Sequence, residues 1–223
     1  MNKYALTSLL AILLGCAVAD AQIGVMIGPR FGYGRPQRRS RPQPRQDLPK
    51  FQPTVNLSLG YGFPNLDALQ LADFYGQYKG STTQTGPFSG AIDYQYSRTS
   101  SIGLLVTHGT ASIPYYNYNG SSTTPAFTGA IDSWAVMLNF VRYMPVAGDK
   151  ISPYIRTAIG INVSTTQTYT DPSGNNLYPG ATPTSLAYQF GLGAKFNLTK
   201  NTGLFLEAGY GKYILQGGLA FKL

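Results

Sequence analysis

The chain has 223 residues, a formal net charge of +8, 12% charged residues, 26 glycines, 17 tyrosines, one cysteine and one histidine. That length holds one sizeable domain, and a chain so rich in glycine and tyrosine reads as sheet and turn rather than as a helical bundle. A lone cysteine excludes a disulfide framework, and a lone histidine without a cysteine or acidic cluster excludes a metal site of the usual kind.

Residues 1–21 read as a secretory signal. Lys3 supplies the positive start, Ala5 to Val18 the apolar core, and Ala19-Asp20-Ala21 a small-x-small cleavage site before Gln22. Leu13-Leu14-Gly15-Cys16 also resembles a bacterial lipobox, which would make Cys16 a lipidated N-terminus; cleavage after Ala21 is the preferred reading. On that reading the mature protein has no cysteine. The segment 22–50 carries Arg30, Arg35, Arg38, Arg39, Arg41, Arg45 and Lys50 against the single acid Asp47. From Phe51 onward nine Lys or Arg face seven Asp or Glu, so the basic character belongs to one tail. Six prolines between Gln22 and Thr54 keep that tail from burying a core, which predicts an extended, disordered linker.

The rest of the chain alternates with a period of two. Strand one, Val55 to Phe63, sets Val55, Leu57, Leu59, Tyr61 and Phe63 against Asn56, Ser58, Gly60 and Gly62. Pro64 ends it, and Asn65 to Phe74 has the spacing of a short capped helix inside a long loop. Strands two and three, Phe88 to Ser97 and Ser101 to Thr110, are joined by a short turn. A long loop, Ala111 to Thr128, leads to strand four, Gly129 to Met144, in which Met137 and Val141 interrupt an otherwise polar face. Strand five begins at Ile151 and alternates to Val163, and a further long loop runs from Ser164 to Pro183. Strand six is the clearest: Leu186, Tyr188, Phe190, Leu192, Ala194, Phe196 and Leu198 alternate with small, polar or charged residues. Strands seven and eight follow, the latter from Tyr213 to Leu223 with Tyr213 assigned to the outer face.

Strands of about ten residues, tilted by about 45°, are long enough to cross a bilayer. Apolar residues outside and small or polar ones inside, with long and short connections alternating, predict an all-β, eight-stranded, antiparallel, up-and-down transmembrane barrel over residues 51–223. A soluble lipocalin-like carrier is the contrary reading; it needs the opposite faces, and no Gly-x-Trp motif opens strand one.

Three stretches carry a family resemblance: Leu-Ser-Leu-Gly-Tyr-Gly-Phe-Pro-Asn from Leu57, Phe-Gly-Leu-Gly-Ala-Lys-Phe from Phe190, and the alternating C-terminal strand. They resemble the small outer-membrane β-barrels of the OmpA/OmpX type, in the variants common in Bacteroidota. The chain ends in Leu223 where that family usually ends in an aromatic residue. The resemblance implies a bacterial outer-membrane location surrounded by lipid, with the linker in the periplasm. It implies a structural or surface-interaction role rather than an enzymatic one, no cofactor, and as the alternative a narrow channel or carrier for a small solute. Export argues against a nucleic-acid partner for the arginines. Anionic phospholipid, lipopolysaccharide phosphate or a cell-wall polymer remain, beside a solvated tether without a partner.

His108 is expected at the membrane interface, and no nucleophile elbow accompanies it. Two groups stand out as candidate sites. Asp93, Arg156, Lys195 and Glu207 face inward at similar heights, with Lys222 nearer the rim and Lys195 placed as a diagonal partner for Glu207. They form either a salt-bridged plug or a gate. Tyr75, Tyr78, Tyr115, Tyr116, Tyr118, Tyr169 and Tyr178 lie among Ser, Thr, Gly and Asn in the long loops, a composition that fits a binding surface or an inert crown.

Overall fold

The computed structural model describes residues 51–118, 124–144, 150–178 and 185–223. All lie in the compact unit Pro49–Leu223. The expected signal peptide, Cys16 and the linker arginines Arg30, Arg35, Arg38, Arg39, Arg41 and Arg45 fall outside the described residues.

Among the described residues there are ten strands: β1 (Thr54–Phe63), β2 (Gln77–Lys79), β3 (Thr83–Gln95), β4 (Ser100–Asn117), β5 (Phe127–Tyr143), β6 (Ile151–Thr170), β7 (Asn176–Tyr178), β8 (Leu186–Asn197), β9 (Thr202–Tyr210) and β10 (Leu215–Lys222). Eight of them close a barrel in the order β1-β3-β4-β5-β6-β8-β9-β10, every neighbour antiparallel, while β2 and β7 pair only with the far ends of β4 and β6. The seam between β10 and β1 runs from Asn56 opposite Lys222 to Phe63 opposite Leu215, so no barrel edge is left open. Both ends of the circuit, Thr54 and Lys222, lie at the end that holds the short turns 96–99 and 198–201; that end is called the lower one here.

The outer face is apolar. Leu59, Tyr61, Phe63, Ile92, Leu104, Trp134, Phe190, Leu192 and Leu206 each stand 46–59% exposed. A continuous belt of this kind is foreign to water-soluble proteins, and each such side chain gains roughly 1.5–3 kcal/mol on leaving water. Ten residue steps from Leu186 to Phe196, at about 3.3 Å each and tilted by about 45°, give about 23 Å, close to the height of the apolar band of a membrane barrel. The opposite face buries Asn56, Ser58, Asp93, Asn139, Arg156, Gln189, Glu207 and Gln216. This arrangement is a transmembrane barrel and the reverse of a lipocalin-like carrier. The inner wall also has an apolar sector, Ala91, Leu105, Ala135, Met137, Ala158 and Ala187, which accounts for the place of Met137 in the alternation.

Two expected loops are in part strand. Ala111 to Thr128 was expected as loop, yet β4 runs on to Asn117 and β5 starts at Phe127; Ser164 to Pro183 was expected as loop, yet β6 runs on to Thr170 and β7 follows. The reason is a reversal of chemistry along one continuous ladder. Above His108 and Trp134, the outward residues become Thr110, Ser112, Thr128, Asp132, Thr166 and Thr168, and the inward ones become Ala111, Ile113, Tyr115, Phe127, Ile131 and Tyr169. Above the lipid the outer face meets water, so polar residues belong outside and apolar ones inside. On β6 a bulge adds a second cause: Trp134 pairs with Ser164 but Ala135 with Asn162. One extra residue at Val163 moves the inward face from even positions (Arg156, Ala158) to odd ones (Gln167, Tyr169).

Candidate functional site

The lumen is filled, and charge is at its centre. Glu207 is fully buried and sits 3.2 Å from Arg156. Both carboxylate oxygens are occupied further: Tyr213 Oη donates to Oε1 at 2.9 Å and Tyr154 Oη to Oε2 at 3.0 Å. Gly191 makes this possible, since a Cβ there would lie 2.8 Å from Glu207 Cδ. The Arg156 guanidinium carbon also lies 5.7 Å from the centre of the Tyr154 ring. Asp93, 4% exposed, accepts from Asn139 Nδ2 at 2.7 Å and borders the same small cavity as Arg156 and Lys195.

Two expectations change here. Glu207 takes Arg156 as its ion partner rather than Lys195, because Arg156 lies opposite Gly191 and reaches across the space that glycine leaves, whereas Lys195 lies opposite Phe205. Lys195 is half-buried and feels Lys222 as a like charge, and Lys222 is exposed at the lower rim. Tyr213, expected on the outer face, is buried in the lumen. It belongs to the β9–β10 turn, where Gly211 has φ +140°, so strand parity does not extend to it.

A second ion pair closes the upper mouth, and the sequence reading missed it. Lys212 Nζ lies 2.9 and 3.0 Å from the two Asp67 oxygens and 2.7 Å from Asn162 Oδ1, and Ser133 Oγ donates to Asp67. Asp67 is on the segment expected as a short helix in a loop. That segment is a 3-10 turn, Leu66–Gln70, whose cap is the Asn65 side chain accepting from Asp67 N at 3.1 Å. It crosses the barrel mouth: Leu66 N donates to Lys212 O, Ala72 N to Tyr169 Oη, Tyr115 Oη to Ala72 O and Lys79 Nζ to Leu71 O. These partners come from β10's turn, β6, β4 and β2, on different sides of the opening.

The lid has its own core. Phe74 stands edge-on to Tyr115 at 5.3 Å and to Phe127 and Tyr169 at 5.1 Å, and Ala68, Leu71, Ile113 and Ile131 complete the cluster. Tyr115 and Tyr169, expected on the loop surface, are therefore buried at 1% and 2% exposure. Tyr75 and Tyr118 are exposed, and Tyr78 stacks on Tyr116 at 5.4 Å and lies 5.5 Å from Tyr118. Tyr178 lies in β7. His108 stacks on Trp134 at 4.3 Å and lies 3.6 Å from Asp132, on the outer surface at the top of the apolar belt. Sequence signals for Asp67 and Lys212 were faint, a charge on each of two turns far apart in the chain.

The buried charges are held by their neighbours: Glu207 by Arg156, Tyr154 and Tyr213, Asp67 by Lys212 and Ser133, and Asp93 by the Asn139 amide. Eight-stranded barrels whose interior is filled by side chains form the structural class to which the fold belongs. No protein-family model matches the chain, and no curated protein matches it. Solved structures similar to it include the attachment invasion locus protein Ail of Yersinia pestis, in complex with the heparin analogue sucrose octasulfate, with 12% identity over 77% of this chain and 97% of that one and a TM-score of 0.41. The N-terminal β-barrel domain of Pseudomonas aeruginosa OprF shares 11% identity over 77% and 97%, with a TM-score of 0.38. A de novo designed transmembrane β-barrel shares 17% over 76% and 95%, with a TM-score of 0.39.

Proposed function

We propose that this protein is a non-enzymatic bacterial outer-membrane barrel with a structural or surface-interaction role. Its lid end faces outward, and both chain ends face the periplasm. The observation that carries this reading is the pairing of an apolar outer belt with a lumen closed twice, by Arg156–Glu207 within and by Asp67–Lys212 under the lid. The filled interior favours the surface role over a narrow channel. With an even number of strands the Arg-rich linker enters the periplasm, where the anions within reach are membrane phosphates and cell-wall polymers.

The test is mobility in SDS of protein from purified outer membranes, with and without boiling. A compact form that migrates faster until boiled is expected. Protein in the soluble fraction, with mobility indifferent to heat, would overturn the membrane reading.

A further inference from the structure

Above the belt, the outer face of the barrel carries two ranks of hydroxyl groups, interrupted by Asp132 in the first and by Ala130 in the second. Thr85, Thr110, Asp132 and Thr166 are successive register partners across β3, β4, β5 and β6. Thr83, Ser112 and Thr168 lie in the next rank up. These ranks line a groove of about 260 Å³, against the roughly 10–15 Å³ that one water needs. Four strands about 4.8 Å apart make the floor about 14 Å wide, the scale of a disaccharide. Aromatic rings bracket it, with the stacked His108–Trp134 pair below and Tyr116, stacked on Tyr78, above on β4.

The lining selects a chemistry. Among the described residues no lysine or arginine borders the groove, and Asp132, 55% exposed and 3.6 Å from His108, places a carboxylate in it. Phosphate and sulfate groups would meet the Asp132 carboxylate and, among the described residues, neither lysine nor arginine. A neutral sugar matches: its hydroxyls donate to the carboxylate and exchange hydrogen bonds with threonine side chains, and its apolar ring face suits aromatic rims. The position selects a source. The shelf continues the outward face of the strands that form the lipid-facing belt, starting two residues above His108 and two before Trp134 on their own strands. A lipid whose chains lie along the belt carries its headgroup onto the shelf.

We propose that this shelf binds the neutral saccharide headgroup of a glycolipid in the outer leaflet. The proposal rests on the membrane reading above. Trp134 is the only tryptophan of the chain, at the foot of the shelf, so its fluorescence reports occupancy directly.

The experiment uses the full mature chain refolded into phosphatidylcholine vesicles, with digalactosyl- or glucosyl-diacylglycerol added stepwise, and with phosphatidylglycerol added in parallel. A saturable change in Trp134 emission with at least one glycolipid, and none with phosphatidylglycerol, is expected. The change should fall at least several-fold in Thr110→Val/Thr166→Val and in Asp132→Asn, while heat-dependent mobility in SDS certifies that these variants are folded. No response to either glycolipid, an equal response to phosphatidylglycerol, or full response in folded variants would overturn the proposal. Equal saturation by the free disaccharide at the same bulk concentration would overturn the membrane source. Loss of heat-dependent mobility in the unmodified chain would instead count against the barrel reading itself.

Discussion

Glu207 shows how much a single residue controls when it is buried and charged. Arg156 and the hydroxyls of Tyr154 and Tyr213 converge on it, so its removal strands a guanidinium inside the lumen. Breaking a buried ion pair from one side costs about 3–5 kcal/mol, whereas replacing both partners costs far less than the sum. Glu207→Ala is therefore expected to lower the urea unfolding free energy of the vesicle-embedded barrel by about 3–5 kcal/mol. Combining Arg156→Leu with Glu207→Met should recover about 1–3 kcal/mol relative to additivity. Equal, additive losses would mean that the pair contributes nothing as a pair. The sequence pointed to both residues by their inward parity on β6 and β9. It did not point to their pairing, because that depends on the gap at Gly191 and on a side chain reaching across from β6, and neither is visible in a period of two.

At the scale of the element, the lid between β1 and β3 and the upper halves of β4, β5 and β6 stabilise each other. Neither has a core alone: the 3-10 turn is five residues long, and the protruding sheet has one apolar face that the turn covers. Phe74 is the central contact, and truncating a packed phenylalanine costs about 3–5 kcal/mol when it is fully buried. Phe74 is only partly buried, so Phe74→Ala should cost less and act locally. The expected result is protease cleavage between Leu66 and Lys79 in the variant under conditions that spare the parent protein, with heat-dependent SDS mobility unchanged in both. Loss of that mobility would show that the lid is needed to hold the barrel. The strand extensions were hidden in the sequence because the alternation of apolar and polar residues reverses at the top of the belt and, on β6, slips by one position at Val163. A reversed pattern reads as the end of a strand when only one solvent is assumed.

At the scale of the whole barrel, the described residues form a structure that seals itself. Its lumen holds Tyr154, Phe205, Tyr213, Gln189 and Gln216 beside the two ion pairs, all buried at 5% exposure or less. Opening a path for ions would require parting at least Arg156 from Glu207 and Asp67 from Lys212 together, which multiplies two unfavourable equilibria. In planar bilayers the protein is expected to give no stable single-channel steps. Sustained openings of uniform conductance in the unaltered chain would mean that the interior rearranges, and the channel alternative would return.

The eight barrel strands, their apolar outer face at the height of the belt and the closed up-and-down circuit were determined by the sequence alone, because lipid outside and a narrow lumen inside impose an alternation on the part of each strand that crosses the belt. The partners were decided by the tertiary structure: Asp67 with Lys212, Glu207 with Arg156, and Tyr115 and Tyr169 around Phe74. Asp67 and Lys212 are 145 residues apart in the chain. Closure of the barrel brings them together, and only the lid's fold across the mouth turns their charges toward each other.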